Sequence, residues 1–254
     1  MDWERAKKFC FLFLIVLNIF LFISINIFGD KYELDFESKK AVVDLLEKNN
    51  LAFDGKLKKF SPKRDISVED YKFNFDALKK LFLNFGVKNI RLDVFDKNGF
   101  DCSFKLKKKL GIKEIKKTCD AIIGQINFLA EANFVLDDVK NNFLIYRDRY
   151  NGFFLMDNFI GINVYSNYEI EIECRYKKIN GFFGDRFEIY SPDLVLYEFI
   201  KCEDVIKKEP KVINKFELVY KIKDDFKKKF LVAEPIYLIV YNNNYEKYLD
   251  AYLK

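Results

Sequence analysis

The chain has 254 residues, 50% of them apolar and 33% charged, enough to bury a sizeable core in one or two domains. Its 44 Lys and Arg against 39 Asp and Glu leave a net charge of +5, well short of the concentrated basic face that phosphate contacts need, so no nucleic-acid partner is expected. There is no histidine, which removes imidazole metal sites, the Ser-His-Asp relay and the Cys-His pair together.

The first element is an apolar run. Of the 20 residues from Phe9 to Phe28, 16 are Phe, Leu, Ile or Val and none is charged. As a helix at about 1.5 Å per residue it spans roughly 30 Å, the thickness of a hydrocarbon core. It is longer than a secretory h-region and carries bulky side chains where a peptidase needs small ones, so it predicts an uncleaved transmembrane helix. Arg5, Lys7 and Lys8 precede it, and Asp30, Glu33 and Asp35 follow it. That bias predicts a cytoplasmic tail over 1–8, a span over 9–28 and an extracytoplasmic domain over 29–254, a single-pass protein of the cell membrane. Asn18 lies too deep in this run for its amide to reach the interface. On a helix it shares a stripe with Phe11, Leu14, Leu21, Phe22 and Ile25. Either a partner helix accepts its hydrogen bonds, or the amide bonds back to a carbonyl of its own helix.

Beyond the run, Glu37 to Asn49 reads as an amphipathic helix, and Phe75 to Phe85 as another, with Asn74 as N-cap and Gly86 as C-cap. Asn89 to Phe95 and Phe100 to Leu106 alternate around Asp96-Lys-Asn-Gly99, which predicts a hairpin. Lys113 to Ala132 carries Ile115, Cys119, Ile122, Ile126 and Leu129 at helical spacing. Strands follow at Phe143 to Arg149, Phe153 to Met156, Gly161 to Tyr165 and Glu169 to Tyr176, an antiparallel meander. Ser191-Pro192-Asp193 opens a helix through about Lys201, and strands at Ile213 to Lys221, Phe230 to Val232, Ile236 to Tyr241 and Tyr245 to Tyr252 close the chain. The expected fold class is α+β: one N-terminal transmembrane helix, then a domain of antiparallel sheets with packed helices, whose element order allows two related sub-domains meeting near 110–140.

Few constellations suggest chemistry. Asp137-Asp138 and Asp224-Asp225 are the adjacent Asp pairs, and both read as solvated turns. Cys102, Cys119, Cys174 and Cys202 are 17, 55 and 28 residues apart with no CxxC pair, so two disulfides or none are open. No nucleophile elbow, P-loop or dinucleotide fingerprint is present, so no enzyme, catalytic residue, cofactor or metal is expected. Lys105 to Lys117 holds seven Lys against one Glu. Lys105, Lys107, Lys108 and Lys109 either meet an anionic lipid or wall polymer, which would make the protein a structural or wall-polymer-binding one, or form a wet face.

Met1-Asp2-Trp3, Arg5-Ala6-Lys7 and Leu17-Asn18-Ile19-Phe20-Leu21 together resemble the amino-terminal signature of the YycI family, regulators of the YycF/YycG (WalR/WalK) two-component system. Ile145 to Gly152, Phe154, Asp157-Asn158 and Glu169 to Tyr176 are similar to that family's strand-turn-strand core, with Arg147 and Phe153-Phe154 in place of the usual Gln and Pro-Ile. Ser191 to Lys201 resembles the following helix and Ile213 to Tyr220 its I-x-K-x-E-L-x-Y strand. Ala233-Glu234-Pro235 to Val240 resembles its late strand, with Ile236 for the usual Trp. The likeness is strongest over 1–21, weaker from 143 onward and one of layout alone over 30–110. It implies a non-enzymatic regulator that, with a YycH-like companion, contacts a sensor histidine kinase of the YycG/WalK type and often restrains it. Asp2, Trp3, Lys7, Leu14, Asn18, Leu21 and Phe22 would make its contacts in and beside the membrane.

Overall fold

A computed structural model of the chain describes residues 7, 13, 14, 17, 36–53, 60, 63–95, 98–106, 112–140, 142–165, 169–223, 231–243 and 245–252. The described residues are mostly β: twelve strands form a mixed sheet, with five helices. The strands are β1 (Ala52–Phe53), β2 (Lys63–Asp70), β3 (Val87–Val94), β4 (Gly99–Leu106), β5 (Phe134–Lys140), β6 (Phe143–Tyr150), β7 (Phe153–Val164), β8 (Glu169–Arg175), β9 (Lys177–Phe187), β10 (Val212–Lys223), β11 (Leu231–Tyr241) and β12 (Tyr245–Asp250). The helices are α1 (Phe36–Lys48), α2 (Phe75–Asn84), α3 (Ile112–Ala130), α4 (Pro192–Lys201) and α5 (Glu203–Ile206).

This corrects the α+β expectation. Strands β2, β5 and β9 arise from stretches without clean alternation, and β7 and β11 each run unbroken where two strands were expected. The sheet is also not purely antiparallel, because β10 pairs in parallel with β1 and with β7. No helix among the described residues is long and apolar enough to cross a membrane. The single-pass anchor expected over 9–28 is therefore not shown, nor is the membrane localisation expected from its hydropathy. Within that stretch only Phe13, Leu14 and Leu17 are described, each helical and exposed, so the rest lies outside the described residues.

The chain divides into two compact units. The first comprises 1–62, 188–216 and 238–254. In it α1 buries Val42 and Leu46, and α4 buries Val195, Leu196 and Phe199. Phe199 meets the Tyr241 ring edge-on at 5.2 Å. Ala52 of β1 sits beside Val212 of β10, and Lys247 of β12 reaches both carboxylate oxygens of Asp204 at 2.9 Å.

The second unit comprises 63–187 and 217–237. Its strands run in the order β3-β4-β8-β7-β10-β11-β2-β9, with β6 paired to β7 and β5 to β6. Helices α2 and α3 cover one face of the β3-β4-β8-β7 part. Leu78 and Phe82 from α2, and Cys119, Ile122 and Ile126 from α3, are fully buried there against Phe100, Ile160 and Ile172. Each such aliphatic or aromatic side chain contributes roughly 1.5–3 kcal/mol on leaving water. Asn74 caps α2 as its sequence predicts, with Ala77 N donating to Asn74 Oδ1 at 3.0 Å. The cap residue at the other end is Phe85, and Gly86 follows it at φ +65°. The last carbonyls of α3 are taken by tyrosines: Tyr71 Oη donates to Leu129 O at 2.9 Å and Tyr176 Oη to Ala130 O at 3.1 Å.

Candidate functional site

On β8 the alternation Glu169-Ile-Glu-Ile-Glu-Cys-Arg175 sends Ile170, Ile172 and Cys174 into the core and leaves Glu171 and Glu173 exposed on the other face. The neighbouring strands repeat this phase. Asp93 of β3 stands directly opposite Asp101 of β4, and Asp101 opposite Glu173, so three carboxylates form a row across three strands. Like charges so placed destabilise a sheet. Arg175 offsets the row, with Nη1 3.1 Å from Asp101 Oδ1, Nη2 3.1 Å from Glu173 Oε1, and its guanidinium 4.7 Å from the Phe95 ring centroid.

A groove of about 470 Å³ runs over this face, lined by Arg91, Asp93, Asp101, Ser103, Phe143, Asn163, Glu171 and Glu173. At Gly161 an added Cβ would lie 2.8 Å from Cζ of Phe143, so the glycine lets that ring approach β7 closely. At the turn's edge Tyr165 Oη donates to Glu171 Oε2 at 2.6 Å, which raises the phenol's pKa. Gly99 plays a comparable part at the hairpin, where an added Cβ would sit 2.0 Å from the Cys174 carbonyl oxygen. No group of His, Cys, Asp or Glu among the described residues could hold a metal ion. The groove is a charged, hydrogen-bonding surface.

The same unit holds a buried polar cluster. Asp148 is 1% exposed; its Oδ1 accepts from Asn133 N at 3.0 Å and its Oδ2 from Asn158 Nδ2 at 3.1 Å. Asn158, fully buried, mimics a strand partner for Lys177, accepting from its N at 2.8 Å and donating to its O at 2.8 Å. Burial raises the Asp148 pKa above its ordinary value, against three opposing hydrogen bonds from Asn133, Asn158 and the Arg149 backbone. The sequence carries a signal for this cluster that goes unread on composition alone. Asp148 falls on the inward phase of β6 with Leu144 and Tyr146, and Asn158 on that of β7 with Ile160 and Ile162.

Of the residues expected to make contacts, Lys7 and Leu14 are helical and exposed, while Asp2, Trp3, Asn18, Leu21 and Phe22 lie outside the described residues. Lys105 is exposed on β4 with Nζ 3.8 Å from Glu169 Oε2, on a carboxylate-rich face that would repel an anionic polymer. Lys107, Lys108 and Lys109 lie outside the described residues. Cys102, Cys119, Cys174 and Cys202 are free thiols. Burial pushes Cys102 and Cys119 up to about 12. Asp137 belongs to no solvated turn: it lies in β5, paired with Arg147. Asp224-Asp225 lies outside the described residues.

These features define a mostly β protein whose second unit couples a helix-packed sheet to a charged outer face. No protein-family profile matches the chain, and no curated protein matches it. A solved structure, an uncharacterized protein from Eubacterium rectale ATCC 33656, shares 10% identity over 80% of this chain and 89% of that one, with a TM-score of 0.47.

Proposed function

We propose that this chain is a non-catalytic accessory regulator that restrains a sensor histidine kinase of the YycG/WalK type, acting through protein–protein contacts in company with a YycH-like protein. The observation that carries the reading is the sequence likeness to the YycI family, strongest over 1–21 and continuing from 143 to the last strands. The missing histidine is compatible with a role in binding rather than in acid–base catalysis. The test is reconstitution. The purified chain, a YycH-type protein and a full-length YycG-type kinase from the same genome are mixed, and co-elution and kinase autophosphorylation are followed. The reading expects a three-component complex and slower autophosphorylation. A kinase that neither binds the chain at micromolar concentration nor changes its rate would sink it.

A further inference from the structure

Asp148 sits where the second unit's sheet changes partners. Residues 159–164 of β7 pair with β8, whereas Leu155 of the same strand stands beside Tyr220 of β10. On β6 the register jumps between Arg147, opposite Phe159, and Asp148, opposite Leu155, so Met156 to Asn158 bend out of the ladder. The bend is held by side chains. Asn158 grips both backbone groups of Lys177 at the start of β9, and Asp148 grips Asn158. Asp148 also grips Asn133 N, just before β5.

No ion pair of Asp148 with a cation occurs among the described residues; the nearby charges are engaged elsewhere. On β6 itself, Arg147 binds Asp137, and Arg149 donates to Gly152 O and lies over the Phe154 ring. From the β8–β9 junction, Lys177 Nζ binds Asp70 of β2 and Lys178 Nζ binds Glu131 beyond α3. Tyr176, whose own pKa is raised by burial and by the Asp148 charge, donates to Ala130 O. On β7, Asp157 accepts from Ile222 N at 2.6 Å. Asp148 is therefore a buried carboxylate held by neutral N–H donors alone, and its charge is what makes it an acceptor at both oxygens.

We propose that Asp148, Asn158 and Lys177 form a proton-operated latch. With Asp148 ionised, β6 is tied to the β7 bend and the start of β9; with Asp148 protonated, Asn158 is released from β6. The proton adds to one carboxyl oxygen, which then carries its own O–H and accepts poorly from Asn158 Nδ2, so one of the amide's two donor bonds is weakened. Asn158 keeps Lys177 but loses its own anchor, and the start of β9 is freed to move with it. Burial supports the latch by moving the proton uptake above the ordinary range of about 3.9. The inference does not depend on the regulator reading.

The experiment is a pH titration of the ¹⁵N-labelled full chain by NMR from about pH 3.5 to 7.5, a range set around the ordinary carboxylate value. The Asn158 side-chain amide and the Lys177 backbone amide should follow one curve with a midpoint above about 3.9. Protection of the Lys177 amide from hydrogen exchange should fall about tenfold on the acid side, the weight of one such bond, after correction for intrinsic rates. Asp148→Asn should flatten both curves. Asp70→Asn removes the other carboxylate near Lys177 and should leave them in place. If the Asn158 amide shows no transition, if Lys177 protection is constant across it, or if Asp70→Asn abolishes it, the latch does not exist. The wild-type titration alone decides the matter if Asp148→Asn fails to fold.

Discussion

Arg147 and Asp137 face each other across β6 and β5 with Nε 2.9 Å from Oδ2, their side chains only 14% and 10% exposed. Asp137 is the residue by which β5 bulges, since Leu136 stands opposite Tyr146 and Asp138 opposite Ile145. The second arm of Arg147 donates to Met156 O at 2.7 Å, at the β7 bend. Breaking a largely buried pair strands the remaining charge. Arg147→Gln, the residue usual in the family that this stretch resembles, should lower the unfolding free energy by about 3 kcal/mol in urea titration. In a double-mutant cycle with Asp137→Asn the two losses should fall short of additive by about 1 kcal/mol or more. Additive losses would mean that the pair is not coupled.

Two glycines give opposite expectations. At Gly99 the added methyl of alanine would meet the Cys174 backbone oxygen at 2.0 Å, at φ +157°, and backbone cannot step aside as a side chain can. Gly99→Ala should cost roughly 4 kcal/mol or more, among the larger effects of single substitutions. Gly124, on α3, has nothing within 4 Å of an added Cβ, so Gly124→Ala should stabilise by about 0.5–1 kcal/mol through helix propensity. Melting curves of both variants check the pair of signs.

The elements legible in the sequence are those whose signals are local. Asn74 announces α2 through a cap three residues from Ala77, and the β3–β4 hairpin through alternation on both sides of a turn. The strands that escape are those whose partners lie far along the chain. β2 reads KRDISVED and finds its place between β11 and β9. β9 is an edge strand, exposed over most of its length, so no alternation marks it. Pro235 suggests a break, yet β11 runs through it, and the registered β2 pairs lie before it, at Leu231 to Ala233. The acidic groove has the same cause: Asp93, Asp101 and Glu173 become neighbours only through strand register. Counting charges along the chain finds the lysine run instead.

The thiols should react in an order set by burial. Cys102 and Cys119 are pushed up to about 12, and Cys174 is pushed well above its ordinary value, each by burial. Cys202 is only partly buried, with its Sγ 3.3 Å from Glu198 O. Iodoacetamide at pH 8 on the native chain should therefore modify Cys202 at least about a hundredfold faster than Cys102, Cys119 or Cys174, as read by peptide mass spectrometry. Urea should bring all four to one rate. Rapid native modification of Cys174 would show that the second unit opens readily.

Asp148 should leave a mark on global stability with a definite sign. Its pKa is raised in the folded chain, so between the ordinary value of about 3.9 and the folded one the native state holds a proton that the unfolded state has released. This group's contribution is fully present below the unfolded value and is lost as pH rises through the folded one. Urea unfolding across pH 3.5 to 7.5 should thus show wild type losing stability relative to Asp148→Asn as pH increases, with the change confined to the acid side. The variant itself should be less stable throughout by about 1–3 kcal/mol, because its amide turns a donor toward Asn158 Nδ2. Local and global effects of the proton are opposite here: it weakens one hydrogen bond, yet it removes a buried charge, and the upward shift says that the second effect is the larger. A difference between the two proteins that grows with pH would reverse that balance and place Asp148 in a more polar setting than its 1% exposure implies.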